Sequence, residues 1–377
     1  MSETKIEVPA PGFFIKEELE ARDWSQSDLA YILGMSVQQV NPVLSGKRSI
    51  STDMAKALGK AFDVAPEFFS RLQTRYDHYK SQDADPAIAR RARLQEHFPI
   101  REMIKRGWFQ DIGEVALLEA QVTRFFGRDS INDVPYLAHA AFKTSYDEEA
   151  STLQYAWLYR VQQIAAEIPT RQFSRNKLMG VLKNDLPSLL IEPEEIRHIP
   201  DLLSQCGVRL VVVERLPQAK IDGACIWLNE KEPVVGLSLR HDRIDNFWFV
   251  LRHELEHVLR GDGKETEGII EDLDGERSGE GSDLPEEERI ANTAAADFCA
   301  PRDELKALIQ RKHPYLSERD VVGFARRIRR HPGLVVGQVQ RLRNDYKFLR
   351  KHLVKVKSHL LPYVPYDGWG DVFPIDL

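Results

Sequence analysis

The sequence predicts a multidomain protein: an all-α N-terminal domain, a helical middle region, and an α+β C-terminal domain. Three observations carry this. Apolar residues recur at helical spacing over 1–80, with Gly and Ser punctuation between them. The same periodicity continues from 89 to about 192. Short β-branched runs begin only near residue 208. At 377 residues the chain can build two or three cores. We divide it as 1–80, 81–195, 196–345 and a C-terminal extension, 346–377.

The first segment reads as helices over Phe13–Ala21, over Ser25–Leu33 with Ser25 as its cap and Asp28 three residues on, and over Val37–Ser45. Gly34-Met35-Ser36 is a tight turn and Gly46 a stop. Helix, short Gly-containing turn, helix is the helix-turn-helix signature. Ser25-Gln26, Leu29-Ala30, Gly34-Met35-Ser36, Val40-Asn41 and Gly46-Lys47-Arg48 together resemble the XRE-type fold, in particular HigA-type antitoxins. The further helices of that family match Thr52–Phe62 and Pro66–Tyr79. The resemblance implies that the third helix enters the major groove of an operator. Ser36, Gln38, Gln39 and Asn41 then face the duplex, with the amides suited to base edges. Gln26, Lys47 and Arg48 are suited to phosphates. A homodimer on double-stranded DNA is expected. Residues 1–80 hold ten Lys/Arg against eleven Asp/Glu, and Pro42 lies inside the third helix. A helical interaction domain without DNA binding is therefore the alternative.

Residues 81–88 form a linker. In the helical middle, Ile112, Val115, Leu118 and Val122 share a face. Trp108, Phe125, Phe126, Tyr155, Trp157 and Tyr159 are assigned to core. No chemistry is legible there.

Strands follow at Val208–Val213, Gly223–Leu228 and Pro233–Leu239, the last two joined by the turn Asn229–Glu232. The sheet edge is expected to accept an extended peptide as an added strand. A breaker-free helix over 244–260 comes next, stopped by Gly261. It carries His253-Glu254-Leu255-Glu256-His257. Residues four apart share a helix face, so both imidazoles can hold one metal ion. Glu254 stands one step round, where it can take a proton from a water activated by that ion. This is the H-E-x-x-H arrangement of zinc hydrolases. A second helix, 285–298, is Ala-rich and acidic at its start. Glu288, Ala291, Asn292 and Ala295 fall on one face, so the small residues allow close approach and Glu288 supplies a third ligand. Two His and one Glu leave one position for water, a catalytic zinc set rather than a closed structural one.

His253 to His257, Glu288-x-x-Ala291-Asn292, Pro301, Asp222-Gly223-Ala224 and His331–Gly337 together resemble the ImmA/IrrE zinc metallo-endopeptidases over about 195–345. The resemblance implies a zincin-like fold, Zn²⁺ as cofactor, and a repressor-like or toxin–antitoxin-type protein as substrate. Two positions depart from the family: Glu256 stands where Gly is usual and Ala294 where Phe is usual. His331 is either an oxyanion donor or a turn histidine ahead of Pro332-Gly333.

Residues 265–288 contain eleven acids and one base, whereas 302–357 contain sixteen Lys/Arg and five acids. They are either solvated surfaces or a pair in which the acidic loop gates the cleft. Three scattered cysteines suggest reduced thiols. No basic, apolar leader or membrane-length apolar run is present, so a cytoplasmic location without membrane contact is expected. The functional expectation is a DNA-binding transcription regulator carrying a zinc-dependent endopeptidase. The alternative is an antitoxin-like repressor that acts by binding, its metal site structural or vestigial.

Overall fold

The computed structural model describes residues 8–81, 84–134, 143–144, 151–264, 269–271, 285–368 and 371–373. The chain forms two compact units, one ending at Pro86 and the other starting at Ala87.

The first unit consists of α1 (Pro11–Glu20), α2 (Gln26–Ile32), α3 (Val37–Leu44), α4 (Thr52–Phe62) and α5 (Pro66–Lys80). Pro11 and Pro66 open their helices at the first position, where a missing N–H forfeits no intrahelical bond. The expected capping box is present: the Asp28 N–H donates to Ser25 Oγ at 3.1 Å, and the Ser25 N–H to Asp28 Oδ2 at 2.6 Å. A second box, not anticipated, opens α3, where the Ser36 N–H donates to Gln39 Oε1 at 3.0 Å. Pro42 does not break α3. The bond it forfeits is to the Gln38 carbonyl, and neither residue belongs to the core. Ile15, Leu19, Leu29, Val40, Leu44, Leu58, Phe62 and Phe69 close one small core. Burial of these apolar faces, more than propensity, holds helices this short.

The second unit opens within α6 (Pro86–His97), whose first residue is the last of the first unit, and continues with α7 (Ile100–Lys105), α8 (Val115–Phe125) and α9 (Thr152–Ala166), with the short strand β1 (Lys143–Thr144) before α9. Two helices, α10 (Arg175–Gly180) and α11 (Ile199–Cys206), precede β2 (Arg209–Val213), β3 (Gly223–Trp227) and β4 (Pro233–Leu237). Helix α12 (Ile244–Arg260) and strand β5 (Ile269–Glu271) follow, then α13 (Glu286–Cys299), α14 (Arg302–Arg311), α15 (Glu318–Arg327), α16 (Pro332–Arg343) and α17 (Lys357–Leu360). Strands β6 (Tyr366–Gly368) and β7 (Asp371–Phe373) come last.

Among the described residues the strands form one mixed sheet, ordered β1-β5-β3-β4-β2-β6-β7. The β3–β4 hairpin is antiparallel, and β2 lies parallel to β4. Every residue of β2, β3 and β4 is buried, the mark of strands covered on both faces. Leu210, Val212, Cys225, Val235 and Leu237 belong to the core shared with α11 and α12. Val211, Val213, Ala224, Ile226 and Val234 belong to the core built with α6 to α9. The aromatic residues assigned to core do lie there: Trp157 is fully buried and its Nε1 donates to the Val213 carbonyl at 2.8 Å.

Two expectations are corrected. The segments 81–195, 196–345 and 346–377 are not separate bodies, because α9 supplies the second cover of the sheet and β6 extends it beside β2. Asp367 ties that extension down, accepting from Trp108 Nε1 at 3.1 Å and pairing with Arg160. The outer edge of β3 is also not open to a peptide, since β5 pairs with it in antiparallel register: Gly223 with Glu271, Ala224 with Ile270, Cys225 with Ile269. The rest of the acidic run, 265–268 and 272–284, lies outside the described residues, and with it the gating expectation. No helix among the described residues is long and apolar enough to cross a membrane. The three cysteines are free and buried.

Candidate metal centre and nucleic-acid interface

Helix α12 spans the expected 244–260. Phe247, Trp248, Leu251, Leu255 and Val258 bury along it, and Gly261, in left-handed conformation, ends it. That burial carries His253, Glu254 and His257 inside, at 0%, 1% and 0% exposure. Helix α13 packs on α12 through Ala291 and Ala295, both fully buried, and this close approach delivers Glu288. The register expected for α13 is the one observed: Glu288 is buried, and Glu287 is not.

His253 Nε2 and His257 Nε2 stand 2.9 Å apart. Glu288 reaches both, with Oε2 at 3.2 Å from His253 Nε2 and Oε1 at 3.5 Å from His257 Nε2. One donor atom from each of the three lies within 4.8 Å of the others. The opposite ring nitrogens are engaged: His253 Nδ1 with Asn292 Oδ1 at 3.2 Å, and His257 Nδ1 with Asp262 Oδ2 at 3.0 Å. A carboxylate and an amide oxygen only accept, so both Nδ1 atoms donate. Two Nε2 lone pairs are then aimed at one spot beside a carboxylate. Such an arrangement calls for a cation between them, a proton or a metal ion. Two imidazole nitrogens and one carboxylate oxygen, with a position left open, fit zinc.

The protonation states follow from the same geometry. Burial pulls the His257 pKa down, but the hydrogen bonds and charges of Asp262 and Glu288 outweigh it and hold the pKa at about 10. Burial pushes Glu288 up, and the two imidazoles outweigh it, bringing the carboxyl down to about 2. Glu254 moves the other way, to about 8, chiefly by burial; His257 opposes the rise while Glu288 and Asp222 add to it. Among the described residues neither Glu254 oxygen has a hydrogen-bond partner. A carboxylate held dry next to a cation site is poised to accept and release a proton near neutral pH. Gly223 makes room for it: a Cβ there would sit 2.7 Å from Glu254 Oε1, so only glycine lets β3 approach this closely.

The two departures have structural answers. Glu256 turns away from the centre and pairs with Arg252 at 2.7 Å, an i,i+4 pair on α12. Ala294 lines an open cleft beside Arg252 and Phe298. His331 is the turn histidine: it caps α16, its Nδ1 accepting from the Gly333 N–H at 3.0 Å. Sequence reasoning missed Asp262. Its signal was an acid between two glycines, five residues after the second histidine.

In the first unit, Gln26, Ser36, Gln38, Gln39, Asn41, Lys47 and Arg48 are all exposed. Gln39 spends its carbonyl on the α3 cap, which leaves its amide to donate. Lys47 and Arg48 are fixed by backbone, both N–H groups donating to the Pro42 carbonyl, at 2.8 and 3.0 Å. Pro42 thus organises the turn that presents these two cations.

Residues 15–69 match the family model described as Helix-turn-helix, so the first unit is a helix-turn-helix domain. Virulence-associated protein A' of Dichelobacter nodosus is 37% identical over 70 residues, which is 18% of this chain and 61% of that protein. An uncharacterized HTH-type transcriptional regulator of Haemophilus influenzae is 39% identical over 67 residues, 18% of this chain and 63% of that protein. The chain therefore spans less than two thirds of the length of either curated relative. Two solved structures are similar. One is an addiction module antidote protein of a HigA family from Coxiella burnetii, 30% identical over 24% of this chain and 95% of that chain, TM-score 0.20. The other is PA4674 of Pseudomonas aeruginosa, in complex with its operator DNA, 31% identical over 23% and 95%, TM-score 0.21.

Proposed function

We propose that this protein is a DNA-binding transcription regulator whose second unit is a zinc-dependent endopeptidase of the ImmA/IrrE kind, acting on a repressor-like or toxin–antitoxin-type protein. The DNA-binding half is supported by the helix-turn-helix match over 15–69 and by the regulator similar to it. Exposed amides on α3 would read base edges, with Lys47 and Arg48 on phosphates and a second copy on the other half-site.

One observation carries the peptidase half: a buried His253–His257–Glu288 set with an unpartnered carboxylate, Glu254, beside it. These three residues would hold the zinc. Zinc held there would supply Lewis-acid chemistry, polarising a substrate carbonyl and acidifying water. Glu254 accepts the water's proton and returns it to the leaving amine, a task suited to a carboxyl group whose pKa sits near the working pH. Asn292 and Asp262 keep the ligand rings oriented. Burial beside Val250 and under Gly223 of β3 keeps bulk water away from Glu254.

A second reading is favoured by the strand β5, which takes the sheet edge that a peptide substrate needs. On that reading the chain is an antitoxin-like repressor that acts by binding, with the metal structural or vestigial. The deciding experiment incubates the purified full chain, loaded with zinc, with proteins encoded beside its gene. Cleavage abolished by Glu254→Gln, with zinc retained, supports the peptidase. Binding without cleavage, unchanged by Glu254→Gln, replaces it with the repressor.

A further inference from the structure

We infer that Asp262 is a positioning residue for the metal centre, coupling the orientation of His257 to strand β3. The inference rests on the zinc reading above. Three observations place it. First, the side chain meets the ligand's far nitrogen: Asp262 Oδ2 accepts from His257 Nδ1 at 3.0 Å. The same oxygen accepts from Arg260 Nε at 3.2 Å, a second donor that fixes the carboxylate's position.

Second, the backbone that carries it is fixed by α12 itself. The N–H groups of Gly261 and Asp262 both donate to the His257 carbonyl, at 2.9 and 3.0 Å. Gly261 adopts φ +80°, a conformation that glycine takes without strain and that turns the chain back under the helix end. Asp262 is therefore returned to the ring of the very residue whose carbonyl it caps.

Third, the strand holds the other side. Trp227 Nε1, at the end of β3, donates to the Asp262 carbonyl at 2.9 Å, and Cys225 Sγ lies 4.0 Å from the same oxygen. The Lys264 ammonium covers the Trp227 ring at 4.2 Å from its centroid. A continuous path thus runs from the β3 backbone through the Trp227 indole, the Asp262 carbonyl and the Asp262 carboxylate to the His257 ring. Asp262 meets His257 at Nδ1, the ring nitrogen opposite the one that faces Glu288. The effect of the path is to fix the ring's tilt and to keep the proton on Nδ1, so that the Nε2 lone pair faces Glu288 and His253.

The test uses the full chain and zinc alone. Zinc affinity is measured by competition with a chromophoric chelator for the parent, Asp262→Ala, Asp262→Asn, Trp227→Phe and His257→Ala. The His257 ring is followed by ¹⁵N-edited NMR. Asp262→Ala should weaken zinc binding on the order of 10–100-fold and erase the hydrogen-bonded Nδ1 proton signal. Asp262→Asn keeps an acceptor and should restore that signal and most of the affinity. Trp227→Phe should shift the Nδ1 signal while leaving the carboxylate in place. If Asp262→Ala keeps both parental affinity and the Nδ1 signal while His257→Ala loses zinc, the positioning role is wrong and the metal centre stands. If the parent binds no zinc, the metal reading fails on its own, and the Nδ1 signal in the metal-free protein decides whether Asp262 holds the ring.

Discussion

Glu254 is a stability liability as well as the base of the proposed reaction, and the two properties can be separated. Its carboxyl is buried without a hydrogen-bond partner among the described residues, and its pKa is raised from 4.5 to about 8. Above pH 4.5 the unfolded chain releases this proton, whereas the folded chain retains it up to about pH 8. Folding then binds a proton, so stability falls as pH rises through that window, by ~1.4 kcal/mol per pH unit. At pH 7 the cost is roughly 3 kcal/mol. Glu254→Gln removes the ionisation and with it the pH-dependent cost, while its unpartnered amide keeps a constant penalty. The assay is urea unfolding of parent and variant, both stripped of metal by chelator, followed by tryptophan fluorescence at pH 5, 6, 7 and 8. The variant's advantage should widen steadily from pH 5 and level off near 8. An advantage that stays constant to within ~0.5 kcal/mol across the range would mean that this carboxylate is solvated or paired, and would refute the reasoning.

Four further outcomes are expected. His253→Ala, His257→Ala and Glu288→Ala should each weaken zinc binding, whereas Glu287→Ala, about 100° round α13, should not; release of zinc by Glu287→Ala alone would put the α13 register wrong. Because the metal-free His257 holds a proton up to about pH 10, zinc must displace it, so calorimetry in two buffers at pH 7 should record about one proton released per zinc and an affinity that rises with pH; no proton release counts against the Asp262–His257–Glu288 arrangement. Deleting 266–282 removes β5 from the β3 edge and should speed both chelation of the metal and peptide cleavage; unchanged rates would leave the segment a spacer. Changing Gln38 and Asn41 to Ala should cost about 1–3 kcal/mol per lost base contact in operator binding, and the same affinity for every duplex would remove the sequence-reading role.

The local elements were legible because their causes are local. Ser25 with Asp28 sets the start of α2, and Gly261 sets the end of α12. The spacing of His253, Glu254 and His257 needs only helical geometry. Placing Glu288 needed one more inference, that an alanine face packs closely, and the buried Ala291 and Ala295 bear that inference out. Gln39 shows the limit within one element: the same amide that suits a base edge also suits a capping box, and sequence does not say which oxygen it will meet.

What the sequence determined by itself was the helix-turn-helix, the α12 histidine pair and the α13 face, since each follows from a pattern local to one short stretch of chain. What only the tertiary structure decided was how distant segments meet. It placed Asp367 under Trp108 and Arg160, joined the middle helices and the C-terminal strands to one sheet, laid Ile269–Glu271 along β3, and returned Asp262 to the His257 ring. It also set the protonation of the centre, because the pKa of Glu254 depends on what excludes water from it and on carboxylates brought near from other segments. Desolvation and long-range charge depend on the packed neighbours in three dimensions, and no local pattern encodes them.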